Sequence, residues 1–340
     1  MSAWSGDDRR EVRPDVAVIV PTFRRPDLLR RCLASVESVA ASSAALVEIV
    51  VVEDGAHPES CALVEREHPG ARVVPLVPNQ GYPAAVNAGV RASRAPWLVT
   101  INNDATLLPG SIDETLRVGA SAPDVGSVAL QQRFTSDPGT LYSAGLMLDA
   151  RGHNADRLMG RPVAASEDRP IEVFGACGAA AAYRRAALHA IGGFDERFRF
   201  GLEDADVAWR LWATGWRCLY APDAVVHHDL GGTIRHGSSF RLRQAGRNRV
   251  LLLAKNMGSR QVLRHAGSIL GFDLAYVTYA AARLRTLAPL VGRLEGLRLV
   301  PAVRRERPHA RPPIALSPPT PWREILLRRG SWRLGARAGR

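Results

Sequence analysis

Three short apolar runs constrain this chain more than any other feature, because each closes on polar residues and most of the segments between them carry helical spacing. Val16–Val20, Leu46–Val52 and Trp97–Ile101 end at Pro21-Thr22-Phe23, Glu53-Asp54-Gly55 and Asn102-Asn103-Asp104. Such runs are the pattern of strands buried on both faces of a parallel sheet. After the first, Leu28, Leu29, Cys32, Val36 and Val39 recur at helical spacing behind Pro26-Asp27, which predicts a helix start there. A helix near Glu59–Glu67, a strand near Ala71–Leu76 and a helix in PAAVNAGVRAS beyond Asn79-Gln80-Gly81 are predicted next. This βαβα order predicts an α/β fold with its ligands at the C-terminal ends of the strands.

The second half is less regular. Strands are predicted at Val125–Gln131 and Leu141–Leu148, and a polar surface loop at Gly152–Arg169. Val173–Tyr183 and Gly192-Gly193-Phe194 follow, then a helix from Glu203 to Thr214 and short strands at Trp216–Tyr220 and Ala224–His228. Trp209, Trp212 and Trp216 are expected to pack this helix and its neighbour rather than to stack on a ligand. Beyond Gly231-Gly232, residues 236–288 read as helical. Residues 289–340 read as a basic, Arg- and Pro-rich tail, partly extended or disordered, with a short amphipathic helix at Trp322–Arg329. Residues 1–15 read as a flexible N-terminus.

Charge is distributed as unevenly as structure. The chain has 340 residues and a net charge of +12. From Arg241 to Arg340 there are 21 basic residues against four acidic ones, a net of +17, which leaves the first 240 residues at −5. A mildly acidic body with a basic tail does not fit a nucleic-acid binder, which would interleave basic and aromatic residues on the folded domain. Cys32, Cys61, Cys177 and Cys218 are too widely spaced for a disulfide framework or a zinc pattern and suit a reducing compartment. The first residues carry acids and no apolar run, so no secretory signal is expected, and no apolar run of 18 residues predicts a membrane span. G-x-G-x-x-G after the first strand, G-x-x-x-x-G-K-[ST] and G-x-S-x-G are all missing. This argues against dinucleotide oxidoreductases, P-loop enzymes and α/β hydrolases.

Several side chains could carry chemistry. Asp104, at a strand end, could hold a hard divalent cation or simply cap the next turn. Glu203, Asp204 and Asp206 cluster in the first turn of a helix, where acids are favoured in any case. Crowded carboxylates can also raise a pKa toward that of a general base. Of His227 and His228, alternation along a strand lets at most one face a site beside the sheet. Glu53 or Asp54 could accept hydrogen bonds from a nucleobase edge or cap a turn.

Taken in order, VIVPTFRRPDLLRRCLASV, VVEDGA, NQGYPAAVNAGV, TINNDA, GGFDERFRFGLEDADVAWRLWATGW and APDAVVHH resemble the inverting family 2 glycosyltransferases of the GT-A fold. Within that family the chain is most similar to the bacterial rhamnosyltransferase-like branch, over about Val16 to Gly232. The resemblance implies a single Rossmann-like mixed sheet flanked by helices, as a catalytic domain over 16–235 with a helical C-terminal extension. It implies a nucleotide pocket bordered by Pro21, Thr22, Phe23, Glu53, Asp54, Asn79, Gly81, Asn87 and Asn103, with Glu53 at the base-reading position where the family usually has Asp. It implies Mg²⁺ or Mn²⁺ held by Asp104 and His228, with Asn102 thinning the usual D-x-D site. Asp204 is then the expected general base beside Glu203, and Gly193, Phe194, Asp195 and Asp206 lie on the acceptor side.

The activity implied is transfer of rhamnose or a similar sugar from a nucleotide-sugar donor to a polysaccharide or lipid-linked glycan. A protein or small-metabolite acceptor, or a non-catalytic GT-A scaffold, are the alternatives. The expected location is cytoplasmic, with the basic tail in peripheral contact with the anionic inner face of the plasma membrane.

Overall fold

The computed structural model describes residues 13–229, 238–305 and 320–321. Its first half alternates β1 (Val16–Thr22), α1 (Pro26–Ser42), β2 (Val47–Asp54), α2 (Pro58–Glu67), β3 (Ala71–Leu76), α3 (Tyr82–Ala92) and β4 (Trp97–Ile101). Next come β5 (Ala105–Leu107), α4 (Ser111–Gly119), β6 (Val125–Phe134), β7 (Asp137–Ser143), β8 (Leu146–Leu148), β9 (Asn154–Asp156) and β10 (Ile171–Val173). The body closes with β11 (Ala180–Arg184), α5 (Arg185–Ala190), α6 (Glu203–Ala213) and β12 (Arg217–His228). Three helices follow: α7 (Ser239–Asn256), α8 (Ser259–Leu284) and α9 (Ala288–Arg305).

One mixed sheet runs β10-β12-β6-β11-β4-β1-β2-β3, with β5 on β12 and β7 on β6. β3, β2, β1 and β4 are parallel, whereas β11 runs antiparallel between β4 and β6. The continuous apolar runs have a direct cause. Val16, Val18 and Val20 of β1 pack toward α1, α2 and α4, while Ala17 and Ile19 pack toward α3 and α5, so both faces are covered.

A third apolar cluster joins body to extension. It contains Phe198 and Trp209 from the body with Leu251, Leu252, Ile269 and Val303 from the three C-terminal helices and Met257 just beyond α7. Trp209 is buried there, the Trp212 indole N–H donates to the Phe174 carbonyl at 2.6 Å, and Trp216 packs against the second sheet face. α7 and α9 meet almost backbone to backbone. A side chain at Gly292 would lie 1.9 Å from the Arg243 carbonyl oxygen, and one at Gly246 2.3 Å from that of Pro289. The chain also returns to the body at Thr320, whose N–H donates to Asp149 (3.0 Å) and whose carbonyl accepts from Arg151 (2.6 Å).

Several expectations are corrected. Residues 289–305, read as the start of a basic, Arg- and Pro-rich tail, partly extended or disordered, belong to α9; Pro289 sits in its first turn, where a missing N–H costs nothing. Gly152–Arg169 is more than a surface loop, because it carries β9, paired with β8. The two short strands predicted at Trp216–Tyr220 and Ala224–His228 are one strand, β12, with a register shift between Ala221 and Val225. Leu141–Leu148 divides into β7 and β8 around Ala144-Gly145. Residues 1–12, the Gly231-Gly232 pair, residues 312–319 and the amphipathic helix expected at Trp322–Arg329 lie outside the described residues.

Candidate active site

The C-terminal ends of β1, β2 and β4 open into a cleft of about 1000 Å³. Pro21, Thr22 and Phe23 form one wall, and Asn102, Asn103 and Asp104 form the floor beside it. The two strand ends are tied together, since the Asn103 amide donates to the Thr22 hydroxyl at 2.8 Å in a buried contact. Antiparallel pairing sets His228 opposite Ala105, and the Asp229 N–H donates to the Asp104 carbonyl at 2.8 Å. The His228 ring therefore reaches Asp104, with Nε2 3.2 Å from Oδ1, and the ring of Tyr142 packs edge-on against it at 4.6 Å between centroids.

The donor chemistry of that pair bears on a divalent cation. One carboxylate oxygen and one imidazole nitrogen converge at the floor of the cleft. Those donor types fit a hard or borderline divalent cation such as Mg²⁺ or Mn²⁺. Among the described residues no group of three or more His, Cys, Asp or Glu forms a closed protein cage.

The opposite side of the cleft holds Glu203 and Asp204 at the start of α6. The helix is entered through Leu202 in the left-handed region (φ 66°), with no side-chain cap. Asp204 accepts from the Gly178 N–H at 3.0 Å and from the Ala205 N–H at 2.7 Å. Burial nevertheless pushes its pKa above the ordinary carboxylate range, outweighing those donors. Glu203 is pushed higher still, by burial and by the adjacent Asp204 charge. The two neighbouring carboxyl groups thus share a site that favours keeping a proton.

Neighbouring elements hold this arrangement. The Asn248 amide on α7 donates to the Phe198, Phe200 and Gly201 carbonyls at 2.7, 2.9 and 2.7 Å, gripping the loop that leads into α6. The Tyr82 hydroxyl donates to the Gly178 carbonyl at 2.7 Å. Gly81 can only be glycine: its φ is 98°, and a side chain would lie 2.5 Å from the Arg199 carbonyl oxygen.

Not every expected residue reaches the cleft. Asp54 and Asn79 do, but both Asp54 oxygens accept from the Asn79 amide and the Gln80 and Gly81 N–H groups at 2.7–2.8 Å. Glu53 points to the other face of β2, fully buried, and accepts from the Arg24 N–H at 3.3 Å. Paired in register with Thr22, Glu53 is buried below the cleft and is not among its lining residues, unlike the base-reading position expected for it. Asn87 donates to the Phe194 carbonyl and accepts from its N–H, both at 2.9 Å, so it clamps that loop instead of bordering the nucleotide pocket.

Gly193, Phe194 and Asp195 line a separate depression with Asn87, Arg210 and Lys255. They are corrected from the acceptor side of the cleft to that second site. Asp206 is corrected too. It is fully buried, with Arg210 at 2.7 Å, Lys255 at 2.9 Å and the Asn256 amide at 2.9 Å.

The structure adds lining residues that sequence reasoning missed. Asp156 enters from β9, Arg241 from α7, and Phe272 and Tyr276 from α8. Burial lowers the Arg241 pKa, while the Tyr142, Asp156, Asp104 and Glu203 groups around it act the other way. Arg241 thus sits among the cleft's acids. The only sequence signal for these residues was the helical spacing of Phe272 and Tyr276.

The profile of the family described as "Glycosyltransferase like family 2" matches residues 14–249. The O-antigen biosynthesis protein RfbC of Myxococcus xanthus is 31% identical over 229 residues, covering 64% of this chain; the chain spans only 17% of that relative's length. The N-acetylglucosaminyl-diphospho-decaprenol L-rhamnosyltransferase of Mycobacterium tuberculosis is 28% identical over 262 residues, 67% of this chain and 80% of the relative. In structure, the chain is similar to the mannosyltransferase PcManGT from Pyrobaculum calidifontis, solved with GDP-Man and Mn²⁺. The TM-score is 0.54 at 17% identity, over 96% of this chain and 87% of that one, which supports the GT-A fold. The chain belongs to glycosyltransferase family 2 and is a transferase of GT-A architecture.

Proposed function

We propose that the protein moves rhamnose or a similar sugar from a nucleoside-diphosphate donor to a hydroxyl of a polysaccharide or lipid-linked glycan, inverting the anomeric centre. The observation that carries this reading is one cleft with a carboxylate–imidazole pair on its sheet side and a raised-pKa carboxylate at the start of a helix. In this reading Asp204 takes the proton of the acceptor hydroxyl as that oxygen attacks the anomeric carbon. Its raised pKa favours that role, because a stronger base accepts the proton more readily.

Pro21, Thr22, Phe23, Asp54, Asn79, Gly81 and Asn103 border the nucleotide, with Asp54 acting through the Asn79–Gly81 turn that it holds. Asp104 and His228 would hold Mg²⁺ or Mn²⁺, which supplies positive charge to the departing diphosphate. Arg241 adds a fixed cation to the same cleft. The lipid-linked acceptor is supported by the name of the mycobacterial relative, and it would put the reaction at the cytoplasmic face of a membrane.

The test is a donor panel that includes dTDP-rhamnose and UDP-sugars, with a lipid-extract acceptor, read as nucleoside diphosphate release with and without Mg²⁺ or Mn²⁺. Release from one donor that depends on acceptor and metal is expected. Failure of every donor to bind, measured calorimetrically with metal present, would overturn the proposal.

A further inference from the structure

α8 has two faces of opposite character. Phe272 and Tyr276 turn toward the cleft, and Asp273 on the same side is paired with Arg249 and Arg293, both at 2.6 Å. On the other side Leu263, Leu270 and Leu274, spaced seven and four apart, are 77%, 68% and 69% exposed. Of the helix's 26 residues only Ile269, Phe272 and Ala280 are buried. α9 repeats the arrangement. Pro289, Gly292, Gly296 and Val303 are its buried residues, and Leu290, Leu294 and Leu297 stand exposed on the far side. Nine of the twelve exposed large apolar side chains among the described residues fall between 263 and 297, so this is one concentrated surface and not ordinary scatter.

The charges around it have one sign. Residues 259–305 carry eight arginines and two acids. Both acids are already neutralised, Asp273 by Arg249 and Arg293, and Glu295 by Arg243. Arg260 and Arg264 stand exposed at the start of α8, Arg283 and Arg285 at its end, and Arg298, Arg304 and Arg305 on α9. No described helix is long and apolar enough to cross a membrane. Exposed leucines bordered by arginines with no uncompensated acid make a surface that lies in an anionic lipid interface and does not span it.

We infer that the exposed leucine faces of α8 and α9 dock the protein onto an anionic membrane surface. The inference rests on the reading of the acceptor as lipid-linked, and it explains why the same helix lines the cleft. One helix diameter, about 10 Å, separates the lipid interface from the Phe272–Tyr276 end of the site. An acceptor anchored in the bilayer reaches that end without leaving the lipid.

The experiment is vesicle co-sedimentation of the full chain with phosphatidylcholine alone and with about 30% phosphatidylglycerol. Binding to the anionic vesicles about tenfold or more tighter is expected. Leu270→Gln/Leu274→Gln and Leu290→Gln/Leu294→Gln should each lose most of that binding while keeping the parent melting temperature and nucleotide-sugar affinity. Arg283→Glu/Arg298→Glu should narrow the difference between the two vesicles.

Leucine variants that bind as well as the parent would overturn the inference. So would a parent that ignores vesicles but forms a dimer that the same substitutions disperse, which would make the face a contact between copies. A parent that ignores vesicles, with variants that melt lower, would overturn it in favour of the chain's own covering segment. Vesicle binding without any nucleotide-sugar affinity would leave the docking face standing and sink the transferase reading alone.

Discussion

At Asp204 burial and two backbone donors act against each other, and burial wins. That balance has a kinetic signature. Asp204→Asn should lower kcat by about 10²- to 10⁴-fold with little change in donor KM, because the amide keeps the space but cannot accept the proton. Glu203→Gln should cost much less, since Glu203 is not the group that accepts the proton in this reading. A base must be ionised to act, so kcat/KM should fall as pH drops through the Asp204 pKa, which is pushed up to about 6; a profile flat to pH 4.5 would remove Asp204 from the role. His228→Ala should raise the Mn²⁺ concentration for half-maximal activity by about tenfold or more, measured by metal titration of diphosphate release.

The residues readable from sequence were those at strand ends, where a short apolar run announces its own terminus: Thr22, Asp54, Asn103 and Asp104. Asp156 and Arg241 were not readable. They reach the cleft only because β8–β9 and α7 fold over it, and nothing local in their sequence records that.

At the scale of elements, the glycines of α7 and α9 show why composition misled. Seen as a string, residues 289–305 are rich in arginine with two prolines. In the structure they form a helix whose Gly292 and Gly296 let it lie against α7. Contact this close depends on the partner helix, which a reading of the tail alone does not contain. Gly292→Val should therefore force the helices apart and lower the thermal midpoint by several degrees, checked by calorimetry. The parallel half of the sheet was fully legible because its burial on both faces is written into β1, β2 and β4. The β6–β12 half was read in fragments, since a register shift breaks the periodicity of β12.

Across the whole molecule, buried carboxylates of two kinds set opposite limits on stability. Burial alone would raise Asp206, Asp195 and Asp149, but Arg210 and Lys255 at the first, Arg197 and Lys255 at the second, and Arg151 and the Thr320 N–H at the third hold them below the ordinary range. Their contribution is complete above the unfolded value near 4 and is lost as pH falls through the lowered one. Asp204 and Glu203 do the reverse. Their raised values bind extra protons in the folded state, so stability is lost as pH rises from the unfolded values of 3.8 and 4.5 through the folded ones. Thermal midpoints measured from pH 2 to 9 should peak at about pH 4 and decline on both sides. Asp204→Asn/Glu203→Gln should flatten only the alkaline decline.

The grip of Asn248 on the loop before α6 bears on how such chains can be cut and recombined. The amide contacts three carbonyls between Phe198 and Gly201, immediately ahead of the carboxylate pair. It stands one residue inside the end of the family match at 249. A junction at 235 would keep every acid of the cleft and discard the side chain that fixes the loop delivering two of them. A junction that keeps the body's supports intact therefore lies beyond Asn256, after α7 has placed Asn248, Lys255 and Asn256 against it.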